Sequence, residues 1–439
     1  MNSSTDRGTR NAERLPVGPN DAIWLQDSAT NLMVINGVFT TDRIDLATVR
    51  REFQQRVIEA EHGRYARFTR RVERTRNRWY WVDDPAFDIA RHIIPAGDPD
   101  LGTTEKLRRY MGAEASRALP ADRPLWQFQV VENFEEGGSA CVVRLHHCIG
   151  DGLALLTVIF HFMEELSAKS DDAGPATIFP SAGAPGAGFG RMLRAPLAAP
   201  GILLRRMLWT PDRHALHGPK VSGRKQVAWT APLDLQIVKG IKDRLGATVN
   251  DVLMATVSGA LSRYIEHRAG EVVHRLRISM PVSIRRPEAA ITLENRFAAV
   301  PLELPAGIAH ARERVAAVKL QMDALKQSVV PIVIYGIQSA LLMALPQAVS
   351  RGLIDFLANK CTAVVTNVPG PQRGLSLAGR RVRTLMFWVP QRADIGVGIS
   401  ILSFAGKVQI GVICDAEIVP DPVELVRAFE EELAALQAL

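Results

Sequence analysis

The feature that most constrains this chain is the heptapeptide HHCIGDG at residues 146–152, which we call the His-His loop. It stands between two apolar runs, residues 141–145 and 153–163, so the pattern predicts that a strand ends and a helix begins here. Polar groups at a buried junction cost free energy unless they are hydrogen-bonded. The fold must therefore enclose the loop and provide partners for its two histidines and its aspartate.

The length and the order of elements indicate two domains. A chain of 439 residues is too long for one ordinary core. Residues 168–226 are rich in Gly, Pro, Ala and Arg, which marks a linker. Strand and helix patterns alternate irregularly on both sides, so we expect α+β domains at 15–167 and 227–439. Residues 1–14 are polar and lack a signal-peptide pattern, so we expect a flexible tail there.

The formal net charge of +7 is compatible with nucleic acid, anionic lipid or a polyanionic small molecule as a partner. No basic patch with interleaved aromatic residues and no nucleic-acid-binding module is evident, so we do not expect nucleic acid. The four cysteines lie mostly in apolar runs without CxxC spacing. This usage is typical of reduced cysteines in a cytosolic protein.

Three stretches keep two interpretations each. The arginines at 64–71 form either a solvated face or a binding site. Residues 189–209 combine apolar residues, arginines and Trp209, which fits either a helix in a membrane interface or a crossover packed against both domains. Residues 329–349 carry no charge, but Pro331 and Pro346 argue against a simple membrane span. A buried or membrane-touching helix is the alternative.

Strand alternation separates the two histidines. Successive side chains of a strand point to opposite faces, so His146 and His147 cannot play the same role. They converge poorly on one metal ion, and Asp151 alone does not complete a coordination shell, so we expect no metal. A neutral imidazole suits proton abstraction from a hydroxyl, and His147 lies closer to the turn, where Gly150 and Gly152 leave room for a substrate. A pair of hydrogen-bonded core histidines remains the alternative.

Other catalytic patterns are missing from the sequence. No G-x-S-x-G stretch indicates a serine nucleophile, and no glycine-rich phosphate loop follows a strand. Any reaction at the His-His loop is therefore a base-driven attack by a bound nucleophile. Asp151 either orients the histidine or pins the turn through an arginine elsewhere.

The loop and four further stretches resemble one family. HHCIGDG matches the HHxxxDG motif of a superfamily that includes chloramphenicol acetyltransferase and the condensation domains of peptide synthetases. Within it, the chain most resembles the bacterial wax ester synthase/diacylglycerol acyltransferase family, from about Leu15 to the C-terminus. The matching stretches are PLW at 124–126, ND at 250–251, NR at 295–296 and TNVPGP at 366–371.

The resemblance implies two chloramphenicol-acetyltransferase-like domains with a tunnel at their interface and the His-His loop at its centre. It implies His147 as general base, His146 as its support and Asn250 as a candidate oxyanion donor. It also implies substrate contacts from Pro124, Leu125, Trp126 and Asp251. No cofactor is expected, because acyl-CoA is a co-substrate.

Condensation domains tie the motif aspartate to an arginine in a P-x-x-x-R stretch. Residues 281–285, PVSIR, match this form. The resemblance therefore implies an Asp151–Arg285 ion pair across the domain interface, with Gly152 as a structural residue beside it. Asp151 would then hold the site together without taking part in the chemistry.

The activity implied by the resemblance is transfer of an acyl group from acyl-CoA to a long-chain alcohol or to diacylglycerol. We would expect such an enzyme in the cytoplasm, at the inner face of the cell membrane and at lipid inclusions, with residues 189–209 as an interfacial anchor and 329–349 lining the tunnel or facing the membrane. Two alternatives remain: a non-catalytic lipid-binding member of the fold, and a stand-alone condensation domain that uses carrier-bound acyl groups.

Overall fold

The computed structural model describes residues 14–60, 63–76, 78–165, 200–202, 204, 206–285 and 291–439. Nearly all of the expected tail and much of the linker, including residues 189–199 of the expected anchor, lie outside these ranges. Arg14 is the exception, because it begins a strand that pairs with Val82 and is therefore not part of a tail.

The described strands fall into two seven-stranded mixed sheets and one small three-stranded sheet. In chain order they are β1 (Arg14–Pro16), β2 (Val34–Thr41), β3 (Arg70–Thr75), β4 (Arg78–Asp83), β5 (Ile93–Pro95), β6 (Trp126–Phe134), β7 (Gly138–His146), β8 (Glu164–Glu165), β9 (Lys225–Trp229), β10 (Leu233–Asp234), β11 (Leu276–Ser283), β12 (Phe297–Leu304), β13 (Ala363–Pro369), β14 (Leu375–Leu377), β15 (Arg380–Trp388), β16 (Val397–Phe404) and β17 (Lys407–Asp415).

The helices cover the sheets and supply the rest of the two cores. In chain order they are α1 (Pro19–Ala22), α2 (Leu46–Phe53), α3 (Thr104–Ala115), α4 (Gly152–Phe162), α5 (Leu235–Leu245), α6 (Val249–Ala269), α7 (Ala311–Gln327), α8 (Val330–Ala344), α9 (Gln347–Ala358) and α10 (Pro422–Gln437). A further helical stretch includes residues 206–208.

The first large sheet has the order β5-β6-β7-β2-β15-β14-β8. Strands β6 and β7 form the expected hairpin, whose turn places Glu136 and Gly137 at φ of 55° and 69°. Every residue of β7 is buried, because strands flank it on both edges and side chains cover both faces. This strand ends at His146, so the His-His loop emerges from the middle of the sheet.

The second large sheet has the order β10-β17-β16-β13-β11-β12, with β9 also paired to β17. The long helix α6 is largely buried against it and begins with a capping box, in which Thr248 and Asp251 each accept the other's backbone N–H. The apolar core of this half is distinct from that of the first half. Two cores in one chain agree with the two-domain expectation.

Two strands correct the expected domain division. Residues 227–439 were assigned to the second domain, but β14 and β15 join the first sheet, where Leu385 of β15 pairs with Phe39 of β2. The apolar run at residues 384–389 predicts a strand, and most of it lies in β15. The pattern does not encode which sheet a strand joins, because that depends on pairing with a distant segment.

The uncharged stretch 329–349 is not one helix. It contains α8 and the start of α9, which are separated by an extended Leu345 and by Pro346 at the cap of α9. Proline cannot continue a helix, which explains the break. No single described helix is both long and apolar enough to cross a membrane; α7 and α8 meet these criteria only as a pair bent by 59°, on length and composition alone.

Candidate active site

The His-His loop turns from β7 directly into α4, as its flanking patterns predict. Asp151 is the N-cap residue of α4, and its Oδ1 accepts the backbone N–H of Ala154 at 3.0 Å. A Cβ atom added at Gly152 would meet no other atom within 4 Å. The missing side chain therefore leaves open space beside the start of the helix.

His146 is buried and engaged at both ring nitrogens. Its Nε2 lies 2.8 Å from Oδ2 of Asp27, and its Nδ1 accepts the backbone N–H of Cys148 at 3.2 Å. Burial lowers the pKa of His146, but the Cys148 thiol and the Asp27 carboxylate outweigh it, so the pKa is raised. These contacts agree with a supporting role and leave no ring nitrogen for a substrate.

His147 has the opposite environment. Its ring is 6% exposed, and its Nδ1 is buried without a hydrogen-bond partner among the described residues. The indole of Trp24 stacks on it with a centroid distance of 3.8 Å and an angle of 10°, and Phe297 lies at 5.7 Å in a tilted orientation. The imidazole is thus held by aromatic surfaces rather than by a carboxylate.

Burial lowers the pKa of His147 to about 4, although its own carbonyl and the charge of Asp151 oppose the shift. The imidazole is therefore neutral at pH 7. The pKa values of the two adjacent histidines are shifted in opposite directions, which indicates that the two residues have different roles. The structure favours His147, and not His146, as the group able to accept a proton.

Asp151 is paired across the two halves of the molecule. Its Oδ2 accepts Nη1 of Arg285 and, at 2.9 Å, the backbone N–H of Arg296. Both side chains are nearly buried. The expected Asp151–Arg285 pair is present, and both carboxylate oxygens are occupied by protein donors.

A second link fixes the backbone of the loop. Nδ2 of Asn295 donates to the His147 carbonyl at 2.9 Å and to Oδ1 of Asp21 at 2.8 Å. Arg67 donates to the carbonyls of Cys148 and Ile149 at 3.1 and 3.0 Å, and to Oδ2 of Asp21 at 2.8 Å. Three successive carbonyls of the loop are therefore held by side chains from two distant segments, and Asp21 ties those two side chains together.

The sequence signals for this link were weak. Asn295 belongs to one of the stretches that carry the resemblance, but no role was predicted for it. Asp21 precedes a predicted helix start, and Arg67 lies in a basic run whose two interpretations were left open. Trp24 and Asp27 had no signal at all, because their contacts with the loop depend on tertiary packing.

Asn250 and Asp251 lie at the start of α6 in the second half. Oδ1 of Asn250 accepts Nδ2 of Asn367 at 2.9 Å, and no described hydrogen bond joins it to the His-His loop. Thr248 caps the helix, so capping does not explain Asn250. Asp251 is completely buried and closes the capping box, which gives it a structural role in place of the expected substrate contact.

The PLW stretch belongs to the core of the first domain. Trp126 is 1% exposed, stacks on Phe53 and His92, and donates from Nε1 to the Phe68 carbonyl at 2.8 Å. The Leu125 carbonyl accepts the backbone N–H of His146 at 3.0 Å, and Pro124 is buried. These residues support the histidine strand from behind instead of forming the expected substrate contacts.

An apolar cavity of about 50 Å³ begins beside Gly152. It lies between α4 and the first sheet. Its lining includes residues of β15, the strand from the second half that joins this sheet. Its lining, as far as the structure describes the chain, includes no charged or polar side chain; the walls include Phe39, Val143, Leu155, Ile159, Leu385 and Phe387. A space of this composition favours hydrocarbon over any polar group.

Within the described residues, no group of three or more His, Cys, Asp or Glu side chains is placed to hold a metal ion. What the site does contain is a neutral, largely dehydrated imidazole whose backbone is anchored at the seam of two α/β domains, beside an apolar cavity. Fold and site together define a two-domain transferase of the HHxxxDG class.

Comparison with known proteins identifies the family. Residues 18–210 match the wax ester synthase/diacylglycerol acyltransferase catalytic domain, and residues 293–437 match the C-terminal domain of the same family. The chain belongs to this family and is an acyltransferase. A Mycobacterium tuberculosis protein described as a probable diacylglycerol O-acyltransferase is 27% identical over 389 residues, covering 82% of this chain and 81% of that protein.

Solved structures agree on the fold. The wax ester synthase/diacylglycerol acyltransferase from Marinobacter aquaeolei VT8 matches with a TM-score of 0.69 at 19% identity, covering 97% of this chain and 99% of that chain. The first condensation domain of the calcium-dependent antibiotic synthetase matches with a TM-score of 0.61 at 16% identity, covering 97% and 96%. The expected chloramphenicol-acetyltransferase-like architecture is confirmed.

Proposed function

We propose that this chain transfers a fatty acyl group from coenzyme A to the hydroxyl of a long-chain alcohol or of diacylglycerol, with His147 as the general base. The observation that carries the proposal is the neutral imidazole of His147 at the seam of the two domains. Burial keeps it unprotonated at pH 7, and the cavity beside Gly152 is apolar.

The reaction needs one base and no covalent enzyme intermediate. His147 removes the proton from the acceptor hydroxyl as its oxygen bonds to the thioester carbonyl carbon. The tetrahedral intermediate collapses, the carbon–sulfur bond breaks, and the imidazolium returns the proton to the coenzyme A thiolate. A thiol has a pKa of about 8.5, so this return is strongly downhill from an imidazolium with a pKa of about 4.

We propose Asn250 as the donor to the oxyanion of the tetrahedral intermediate. Its side-chain oxygen is engaged by Asn367, which leaves the amide N–H groups as the end that can donate. One such donor is typically worth about 3–4 kcal/mol in the transition state. A tunnel between the domains would have to bring the thioester to Asn250 and His147 together.

We also propose that the enzyme docks on anionic lipid, where its acceptor is dissolved. Of the ten large apolar side chains that the described residues expose, six lie on α8, α9 and residues 204–208. Lys360 links α9 to residues 207–209: its Nζ donates to the carbonyls of Met207 and Trp209 at 3.3 and 2.5 Å and lies 4.1 Å from the centre of the Phe356 ring. We call this surface the apolar face; its exposed residues are Leu204, Met207, Leu208, Met343, Val349 and Phe356.

The docking proposal is tested by co-sedimentation with vesicles of phosphatidylcholine and phosphatidylglycerol. Met343→Glu and Phe356→Glu should each weaken binding several-fold, because a carboxylate replaces buried hydrocarbon and repels the anionic headgroups. Val423→Glu, at an exposed position of α10, is the matched control and should bind like the wild type. If the first two variants also bind normally, the apolar face is not the docking surface.

The activity is tested with palmitoyl-CoA and either hexadecanol or dioleoylglycerol, by following the release of free thiol. His147→Ala should slow release with both acceptors by roughly 10²- to 10⁴-fold, while His161→Ala, at an exposed histidine on α4, should behave like the wild type. Equal rates for His147→Ala and the wild type would contradict the base assignment. Release from a palmitoyl-loaded carrier protein but not from palmitoyl-CoA would favour the condensation-domain alternative, and release from neither would favour a lipid-binding protein.

A further inference from the structure

The closest aromatic contact of the site joins Trp24 to His147. The two rings lie almost parallel, 3.8 Å apart at 10°, so the indole covers one face of the imidazole. Phe297 touches the same imidazole at 5.7 Å and 40°, which is an oblique contact. Only the stacked ring can set the plane in which His147 presents its nitrogens.

The indole is held in place by the turn that carries it. The Trp24 backbone N–H donates to the Asp21 carbonyl at 3.1 Å. The Asp21 carboxylate is in turn fixed by Asn295 and Arg67, which also hold the carbonyls of the His-His loop. The stacked pair therefore belongs to one framework, and Trp24 has little freedom to turn away from His147.

The reaction makes the contact more favourable as it proceeds. His147 becomes an imidazolium in the transition state, in surroundings that disfavour a positive charge. The nearby carboxylates are occupied: Asp27 faces His146, and Asp151 faces Arg285 and the Arg296 backbone. The face of an indole carries negative electrostatic potential and attracts a cation stacked on it, most strongly when both are desolvated.

We propose that Trp24 is a positioning residue that fixes the ring plane of His147 and stabilises its cationic form during acyl transfer. The proposal rests on the assignment of His147 as the base. It assigns Trp24 a role in turnover beyond that of a space-filling side chain. A purely structural tryptophan would be replaceable by any apolar residue that preserves folding.

The test is a series at one position: Trp24→Tyr, Trp24→Phe and Trp24→Leu, assayed by thiol release with palmitoyl-CoA and hexadecanol. Cation–π attraction is strongest for Trp and absent for Leu. We expect kcat to fall in that order, by roughly 2- to 5-fold for Tyr and Phe and roughly 10- to 30-fold for Leu, with KM for both substrates within about twofold of the wild type. Trp79→Leu, on β4 of the small sheet, controls for loss of a tryptophan and should leave kcat unchanged.

Circular dichroism melting is recorded for every variant. If Trp24→Leu does not fold, the comparison of Tyr and Phe with the wild type decides, because both rings keep an aromatic face. The proposal is overturned if the aromatic variants lose as much kcat as Trp24→Leu, or if the losses appear in KM alone. Wild-type activity in His147→Ala would instead overturn the base assignment, so the two failures are distinguishable.

Discussion

The two halves of the molecule contribute different things to one site. The first half supplies the loop with His147 and Asp151, and the aromatic ring that stacks on His147. The second half supplies Arg285 and Asn295, whose contacts go to the Asp151 carboxylate and the His147 carbonyl. The imidazole of His147 therefore belongs to one short stretch of sequence, whereas the residues that hold this stretch in place are distant in sequence. Activity and stability should respond differently to changes in the two halves.

The largest effect should come from removing the chemical group itself. His147→Ala should reduce kcat/KM by roughly 10²- to 10⁴-fold, the usual contribution of a positioned general base. The melting temperature should fall less than in the variants of the Asp151–Arg285 pair described next. Steady-state kinetics measure kcat/KM, and circular dichroism measures the melting temperature. If His147→Ala lowered the melting temperature as much as the Asp151–Arg285 variants do, the expected difference between the two halves would be contradicted.

The Asp151–Arg285 ion pair, which joins the two halves, should matter chiefly for the stability of the folded protein. Arg285→Met leaves the buried Asp151 carboxylate without its cation, and breaking such a pair on one side typically costs about 3–5 kcal/mol. The double variant Asp151→Asn/Arg285→Met should recover part of this loss, because no buried charge remains unpaired. Urea unfolding measures both. An Asp151→Asn variant with native stability and no activity would show that Asp151 takes part in the chemistry.

The pH dependence of stability offers a third test of the His147 environment. Because its pKa is lowered to about 4 in the folded state, the unfolded chain binds more protons between about pH 6.5 and pH 4. The folded state should therefore lose on the order of 3 kcal/mol as the pH falls through this range. His147→Asn should show a flatter dependence in urea unfolding at pH 4 to 7. Identical slopes for variant and wild type would mean that the imidazole is hydrated.

The smallest effect should follow from loosening the loop backbone. Asn295→Ala leaves the His147 carbonyl and Asp21 short of a donor, which typically costs about 1–3 kcal/mol. We expect a moderate loss of kcat and of stability together. Asn20→Ala, whose amide bonds to Ser339 near the same turn, is the matched control and should leave kcat unchanged. An Asn295→Ala variant with wild-type kcat would show that the loop holds its shape without this link.

The local parts of the site could be predicted from sequence. The apolar runs around the His-His loop predict that a strand ends and a helix begins there, which the structure confirms with ends at His146 and Gly152. Strand alternation predicts different roles for the two histidines. The Asp151–Arg285 pair followed from the resemblance. The substrate contacts predicted for Trp126 and Asp251 depended on motif matching alone, and the structure gives these residues core and capping roles.

What could not be predicted depends on distant pairing. Trp24, Asp21 and Arg67 reach the loop only because the chain folds back on itself, and their spacing in sequence carries no trace of this. The sequence of β15 likewise predicts a strand but does not indicate which strands it pairs with. Pro346 did signal a break in the uncharged stretch, but the two helices it separates became evident only in the structure.

The pairing of β15, from the second half of the sequence, with β2 in the first sheet has a consequence for synthesis of the protein. Strand β2 pairs with β7 on one edge and needs β15 on the other, yet β15 leaves the ribosome long after β2. Until then an edge of a buried apolar strand is open, and open edges of this kind pair readily with other chains. The first half therefore cannot mature on its own, and nascent chains stalled before residue 380 should be prone to aggregation or to capture by chaperones.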